Sequence, residues 1–210
     1  VRGAARAFAV AEALRHDGLH VLLLLDSLTR VAHAQREVGL AVGEPAGMKG
    51  YPASALALIA RLVERAGNDA RSGGAITAVL TVLADGDDVV ADPVVDAARG
   101  VLDGHIVLDR GIAGRGRFPA IDLGHSLSRT MSACVPPEVV AAAANLRRDC
   151  AQLDANRDLV AMGAYAPGQN PALDLALSRE VRMETFLAQP RAEVADFDAS
   201  LGALMEGWSE

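Results

Sequence analysis

The 210 residues carry 20 basic and 27 acidic side chains, for a formal net charge of −7. That balance argues against a nucleic-acid binder, which needs a basic face for its phosphate contacts. Apolar residues make up 51% and aromatics only 3%, which suits a helix-rich α/β chain forming one large domain or one domain with an appendage.

Residues 1–16 read as a helix. Val1, Ala5, Phe8, Ala9 and Leu14 fall near helical spacing, and Gly18 suits the terminating turn. The run Val21-Leu22-Leu23-Leu24-Leu25 shows no alternation, which predicts a central strand of a parallel sheet buried on both faces. It stops on Asp26, where open α/β sheets place their ligands. In P-loop NTPases an acid at this Walker-B position helps hold Mg²⁺ beside the triphosphate. From this run alone, a plain buried strand ending on a helix cap is the commoner arrangement.

Residues 27–40 read as a second helix with Val31, Ala34 and Val38 on one face. Gly43-Glu-Pro-Ala-Gly-Met-Lys-Gly-Tyr-Pro is a loop, too rich in Gly and Pro for a packed element. A helix follows over 53–66, with Leu56, Ile59, Leu62 and Val63 as its apolar stripe and Gly67 as its stop. Residues 75–83 read as a second buried strand, leading into an acidic loop. There Asp85, Asp87 and Asp88 resemble part of a calcium loop, but the required Gly and distal Glu are missing from their positions. Capping and interface hydrogen bonds are the preferred role.

Pro93 suits the first turn of a helix running to 101, and 106–108 is a short third strand. From 135 onward the pattern is helical, over 138–149, 151–162, 171–187 and 191–205, with a break at Gly163-Ala-Tyr-Ala-Pro-Gly-Gln-Asn-Pro. His105, at a strand edge, is expected to be packed and hydrogen-bonded rather than a general base. His16, His20, His33 and His125 show no partner pattern. Cys134 and Cys150 have neither metal nor disulfide spacing, which points to a reduced, cytosolic compartment. No apolar run approaches the roughly 18 residues of a membrane span, and no signal peptide or internal repeat is visible.

Asp26-Ser-Leu-Thr-Arg-Val-Ala-His-Ala-Gln-Arg-Glu-Val-Gly-Leu-Ala-Val-Gly-Glu-Pro, followed by Lys49-Gly-Tyr-Pro, resembles the ATPases of bacterial type III export systems, flagellar and injectisome. These are relatives of the rotary ATP synthase catalytic subunits. The resemblance continues through Leu102-Asp-Gly-His-Ile-Val-Leu, Phe118-Pro-Ala-Ile-Asp, Ser126-Leu-Ser-Arg-Thr-Met and Gly163-Ala-Tyr, over nearly the whole chain. It implies an α/β fold: part of a RecA-like P-loop ATPase core with a mostly parallel sheet over 1–134, then an all-helical C-terminal domain over 135–210.

The resemblance also implies ATP and Mg²⁺ as cofactors. Asp26 would tune the Mg²⁺ and its water shell, and Arg129 would be the arginine finger that reaches a neighbouring subunit's nucleotide. A guanidinium suits that role because it is always charged and offers bidentate donors. Phe118 matches an aromatic presented to adenine, and Tyr165 a tyrosine near the adenine edge. Lys49 lies in a loop that faces a central pore in the family. Here that loop departs from the usual Glu-Pro-Pro-Ala-Thr-Arg/Lys-Gly-Tyr-Pro-Pro at Ala46-Gly47-Met48 and Ala53, and Asp109 replaces a usual Ser.

A finger acting in trans implies a closed head-to-tail ring, a homohexamer in the family. The other partners implied are stalk and regulator proteins, export substrates and chaperones, and an inner-membrane export gate on whose cytoplasmic side the enzyme is peripheral. Gly-Ala-Tyr, rather than Gly-Glu-Tyr, favours the flagellar branch.

The chain contains no G-x-x-x-x-G-K-[ST] and begins with Val1. The family places its phosphate loop and catalytic Glu upstream of the first helix, so these residues read as a fragment, inactive by itself. The alternative is a truncated, non-catalytic paralogue acting as a docking or ring-interface module. A rotary ATP synthase subunit is a third reading, against which Gln35-Arg-Glu-Val-Gly-Leu and Leu102-Asp-Gly-His-Ile-Val-Leu argue.

Overall fold

The computed structural model describes residues 1–84 and 92–209, so Asp85, Asp87 and Asp88 lie outside the described residues. The chain divides into two compact units, Val1–Leu102 and Asp103–Glu210.

The first unit begins with α1 (Arg2–His16), and Gly18 turns the chain at φ +82°, a left-handed geometry open to glycine. It continues through β1 (His20–Leu25), α2 (Leu28–Ala41), a 3₁₀ turn (Met48–Gly50), α3 (Ala53–Val63), β2 (Gly67–Asn68), β3 (Ala75–Leu80) and α4 (Pro93–Val101). Ser27 caps α2 by accepting from the Arg30 amide. Asp92 caps α4 by accepting from the Val94 and Val95 amides, with Pro93 in the first turn as the sequence predicts. The sheet order is β1-β3-β2. β1 and β3 run parallel in register from His20 opposite Ala75 to Leu25 opposite Leu80, and β2 is antiparallel to β3.

Contrary to the sequence reading, β1 is covered on one face only. Leu23, Leu25 and Leu80 pack against a cluster that includes Phe8, Leu28, Ile59 and Val94, one residue from each of the four helices. The opposite face shows Leu22, Leu24 and Val79 at 64%, 67% and 53% exposure. All four helices of this unit feed a single cluster, and among the described residues nothing covers the other side. Likewise Val38 of α2, read as a face residue, is exposed, while Leu28, Val31 and Ala32 are buried.

The Gly- and Pro-rich loop is better packed than its composition suggests. Tyr51 is buried, with its ring stacked on His33 at 5.9 Å and the Arg36 guanidinium 5.2 Å from its centroid. Lys49 adopts φ +49°, uncommon for a side chain with a Cβ, and its Nζ lies 4.0 Å from Asp92 Oδ2.

The second unit holds β4 (Gly104–Leu108), α5 (Arg110–Gly114), β5 (Ile121–Ser128), α6 (Met131–Cys134), α7 (Pro137–Ala161), α8 (Pro171–Leu187) and α9 (Phe197–Trp208). β4 and β5 form an antiparallel pair with an irregular register. Gly104 is needed there: a Cβ would lie 2.6 Å from the Leu127 carbonyl oxygen. The two helices expected on either side of Cys150 are one continuous helix, α7, because Cys150 packs against the bundle core instead of marking a break. α9 begins at Phe197, where the Asp196 carboxylate accepts from the Ala199 amide, and not at 191 as periodicity suggested. Ala142, Leu146, Leu153, Leu173, Ala176, Met183 and Trp208 form the core of the bundle.

Candidate functional site

Asp26 follows β1 directly and is exposed at its carboxyl end. Its Oδ1 accepts a hydrogen bond from Thr81 Oγ1 at 2.7 Å. Thr81 stands one residue beyond β3, the parallel neighbour, so the two strand ends present a carboxylate and a hydroxyl side by side. Backbone bonds hold that edge: the Thr81 amide donates to the Leu25 carbonyl at 3.1 Å, and the Leu28 amide to the Thr81 carbonyl at 2.9 Å. Thr29, buried at the start of α2, clips the next stretch, donating to the Leu83 carbonyl and accepting from its amide. Thr29 and Thr81 escaped the sequence reading, although a threonine just past one of two apolar strands is the available signal for such a pair.

An exposed carboxylate with one hydroxyl partner fits a cation such as Mg²⁺, which keeps several waters and takes only one or two protein oxygens. No group of three or more His, Cys, Asp or Glu residues able to hold a metal occurs among the described residues. The residues therefore fit a hydrated cation shared with a ligand and not a closed protein cage.

The other three candidates lie in the second unit. Arg129 is exposed just past β5, and its amide donates to the Asp103 carbonyl at 2.7 Å. Phe118 presents its ring to solvent at 57% exposure, while its carbonyl accepts from the Gln189 amide at 2.8 Å. Arg117, beside it, pairs with Glu184 of α8 at 3.2 Å. An exposed ring on an anchored backbone is free to stack on a flat ligand.

Tyr165 is placed differently. Its hydroxyl donates toward Asp174 Oδ1 at 2.8 Å and the Asn170 carbonyl at 3.1 Å, tying the loop to the first turn of α8. Burial and the bond to Asp174 push the phenol upward in pKa. Its ring packs against the bundle core, so the side chain already serves the fold.

Between Asp122 and Leu127, β5 leaves its ladder with β4: Val107 faces Asp122 while His105 faces Leu127. The loop-out is held from within. Asp122 accepts from the His125 amide and ring, and Ser126 Oγ donates to the Asp122 carbonyl and accepts from the Val107 amide. Burial raises the Asp122 carboxyl, but the His125 hydrogen bonds outweigh it and leave it lowered. His105 Nε2 donates to the His125 carbonyl at 2.9 Å, the bonded role expected for it.

A cavity of about 510 Å³ opens between α8 and α9, lined by Phe186, Trp208, Ala199 and Ala203 among others, and a second of about 160 Å³ lies between α7 and α8. Asp26, Phe118, Arg129 and Tyr165 line neither.

The model of the ATP synthase alpha/beta family, nucleotide-binding domain, matches residues 1–128, and that of the T3SS EscN ATPase C-terminal domain matches 135–206. The flagellum-specific ATP synthase of Salmonella typhimurium is 50% identical over 204 residues, covering 97% of this chain and 44% of the relative. The type 3 secretion system ATPase of Xanthomonas euvesicatoria is 45% identical over 196 residues, covering 93% and 44%. The assembled ATPase EscN of enteropathogenic E. coli superposes with a TM-score of 0.92 at 39% identity, over 97% of this chain and 48% of that one. EscN in complex with its central stalk EscO gives 0.85 at 38% identity, again over 97% of this chain and 48% of that one. The chain thus spans less than half the length of each of these four relatives. The two family models together and each of these relatives cover nearly all of the chain, and it belongs to the ATP synthase alpha/beta family, in its branch of flagellar and type III secretion export ATPases.

Proposed function

We propose that the full-length protein hydrolyses Mg-ATP to energise flagellar or type III protein export, working as a homohexameric ring on the cytoplasmic side of the inner membrane. The observation that carries this reading is the Asp26–Thr81 pair at the carboxyl ends of two parallel strands, in a chain 50% identical to a flagellum-specific ATP synthase. When bound, Mg²⁺ neutralises charge on the phosphate oxygens. Asp26 holds the ion through its water shell, with Thr81 fixing the carboxylate's orientation. Arg129 serves as the finger in trans, its guanidinium offsetting charge that develops on the γ-phosphoryl oxygens. Phe118 stacks on adenine. Tyr165 acts near the adenine edge through the loop that its hydroxyl braces.

In this reading residues 1–134 are the ATPase-core part and 135–210 the helical domain that meets a stalk, as the complex of EscN with EscO supports by analogy. Regulators, chaperoned export substrates and the export gate are its further partners.

The test is ATP turnover against protein concentration for the full-length protein and its Arg129→Ala variant, with nucleotide binding followed in parallel. Turnover is expected to rise steeply with concentration and to fall about 10³–10⁵-fold in the variant while binding is kept, the range known for arginine fingers. Normal turnover in the variant removes Arg129 from the mechanism. A parent that binds no nucleotide leaves the docking-module reading in its place.

A further inference from the structure

The loop-out in β5 ends three residues before Arg129, and a side chain from the helical bundle closes it. Arg147, half-buried on α7, donates from one guanidinium nitrogen to the Leu123 carbonyl at 2.6 Å and the Ser126 carbonyl at 2.9 Å. Those two carbonyls stand at the two ends of the segment that leaves the ladder between Asp122 and Leu127. A charged donor shared by two carbonyls is stronger than the neutral bonds of the strand it replaces. The Leu123 side chain meanwhile packs against the core of the bundle. Only Leu127 and Ser128 separate the clasped end from Arg129, and both are paired with β4, opposite His105 and Gly104. The loop-out thus sets how β5 re-enters its ladder, and the ladder sets where Arg129 leaves it.

We propose that Arg147 is a positioning residue for the Arg129 finger, holding the β5 loop-out closed so that the strand delivers the guanidinium at a fixed place. This rests on the reading of Arg129 as the finger. A group held through such a shell loses its effect steeply when displaced; a shift of about 1 Å can cost about 100-fold in rate. Arg147 also sits on the same helix as Asp149 and Leu146, which are buried in the bundle. The finger strand is therefore fastened to the bundle and not only to β4.

The experiment is steady-state ATP hydrolysis by the full-length protein carrying Arg147→Met, Arg147→Lys, Arg129→Ala and the double variant Arg147→Met/Arg129→Ala, with ring assembly checked by light scattering. Expected is a fall in kcat of about 10-fold or more for Arg147→Met with KM for ATP and assembly kept, and recovery of most of it by Lys, which can donate to both carbonyls. In the Arg129→Ala background the Met substitution should remove nothing further, because residues acting as one unit are not additive. Unchanged kcat in Arg147→Met, or an equal proportional loss with and without Arg129, overturns the positioning role while leaving the finger intact. Normal turnover in Arg129→Ala overturns the finger and the positioning role together. Should Arg147→Met fail to fold, Arg147→Gln, which retains a donor for one carbonyl, takes its place under the same criteria.

Discussion

Asp149 is a carboxylate held almost wholly out of water, and its partners come from two different helices. Trp208 of α9 donates its indole N–H to Oδ2 at 2.9 Å, and Arg179 of α8 lies 3.4 Å from the same oxygen. Asn145, one turn earlier on α7, donates to the Trp208 carbonyl. Removing one partner of a buried pair leaves the other uncompensated, which costs more than the pair itself contributes. Asp149→Leu should therefore destabilise the bundle by about 3 kcal/mol, and Asp149→Asn by about 1 kcal/mol, since an amide oxygen can still accept from the indole. Urea unfolding of the full-length protein, followed through the bundle, reads both. A Leu variant as stable as the parent would show that the carboxylate contributes nothing. Neither Asp149 nor Arg147 was legible in the sequence, because a charged residue in a helix signals solvent until the fold supplies its partner. Asp26 and Arg129 stand out in the sequence for the opposite reason: each lies in a long matching motif, and the structure leaves each exposed, as their proposed roles require.

At the scale of elements, the link between α1 and the end of α3 depends on pH. Arg65 donates two hydrogen bonds to the Glu12 carboxylate, at 2.7 and 2.6 Å, with its guanidinium 5.3 Å from the Phe8 ring centroid. The hydrogen bond from Arg65 lowers the Glu12 carboxyl, against an opposing effect of burial. A carboxyl depressed in the folded state adds stability that is complete above its unfolded value, about 4.3, and lost as pH falls through its lower folded value. Both side chains are about a third exposed, so the pair is worth less than about 1 kcal/mol. Glu12→Gln should be slightly less stable than the parent at pH 7, with the gap closing toward pH 3. An equal gap at both pH values would assign the difference to packing.

Elements with strong local signals were read closely: Pro93 starts α4, and α8 spans Pro171–Leu187 as its periodicity indicates. β5 was not read as a strand because Asp122-Leu-Gly-His-Ser neither alternates nor carries β-branched residues. Its strand form comes from pairing with β4 on either side of the loop-out.

On the scale of the molecule, the first unit carries an apolar sheet face that the described residues leave open. Leu22, Leu24 and Val79 are all more than half exposed. Leu22 and Leu24 stand in register opposite Thr77 and Val79 on the neighbouring strand, so the three apolar side chains form one patch. Leucines at i and i+2 on a strand share a face, which is why the unbroken Leu run of β1 led the sequence reading to expect cover above and below. That inference concerns a whole protein, and this chain spans 44% of its Salmonella relative. The 210 residues on their own should therefore self-associate and bind a hydrophobic dye, because contiguous exposed apolar surface on a short sheet invites pairing. Leu22→Thr with Leu24→Thr should reduce both effects in the isolated chain, since threonine keeps the strand preference while adding a hydroxyl to the open face. In the full-length protein the same pair should lower stability by several kcal/mol if the face is packed there, at about 2 kcal/mol or more for each buried leucine lost. Analytical ultracentrifugation of the isolated chain and thermal unfolding of the full-length protein separate the cases. A monodisperse isolated chain that binds no dye would mean that the open face carries no drive to associate. A full-length double variant as stable as its parent would mean that β1 works with one face in water, and the unbroken leucine run would then need another cause.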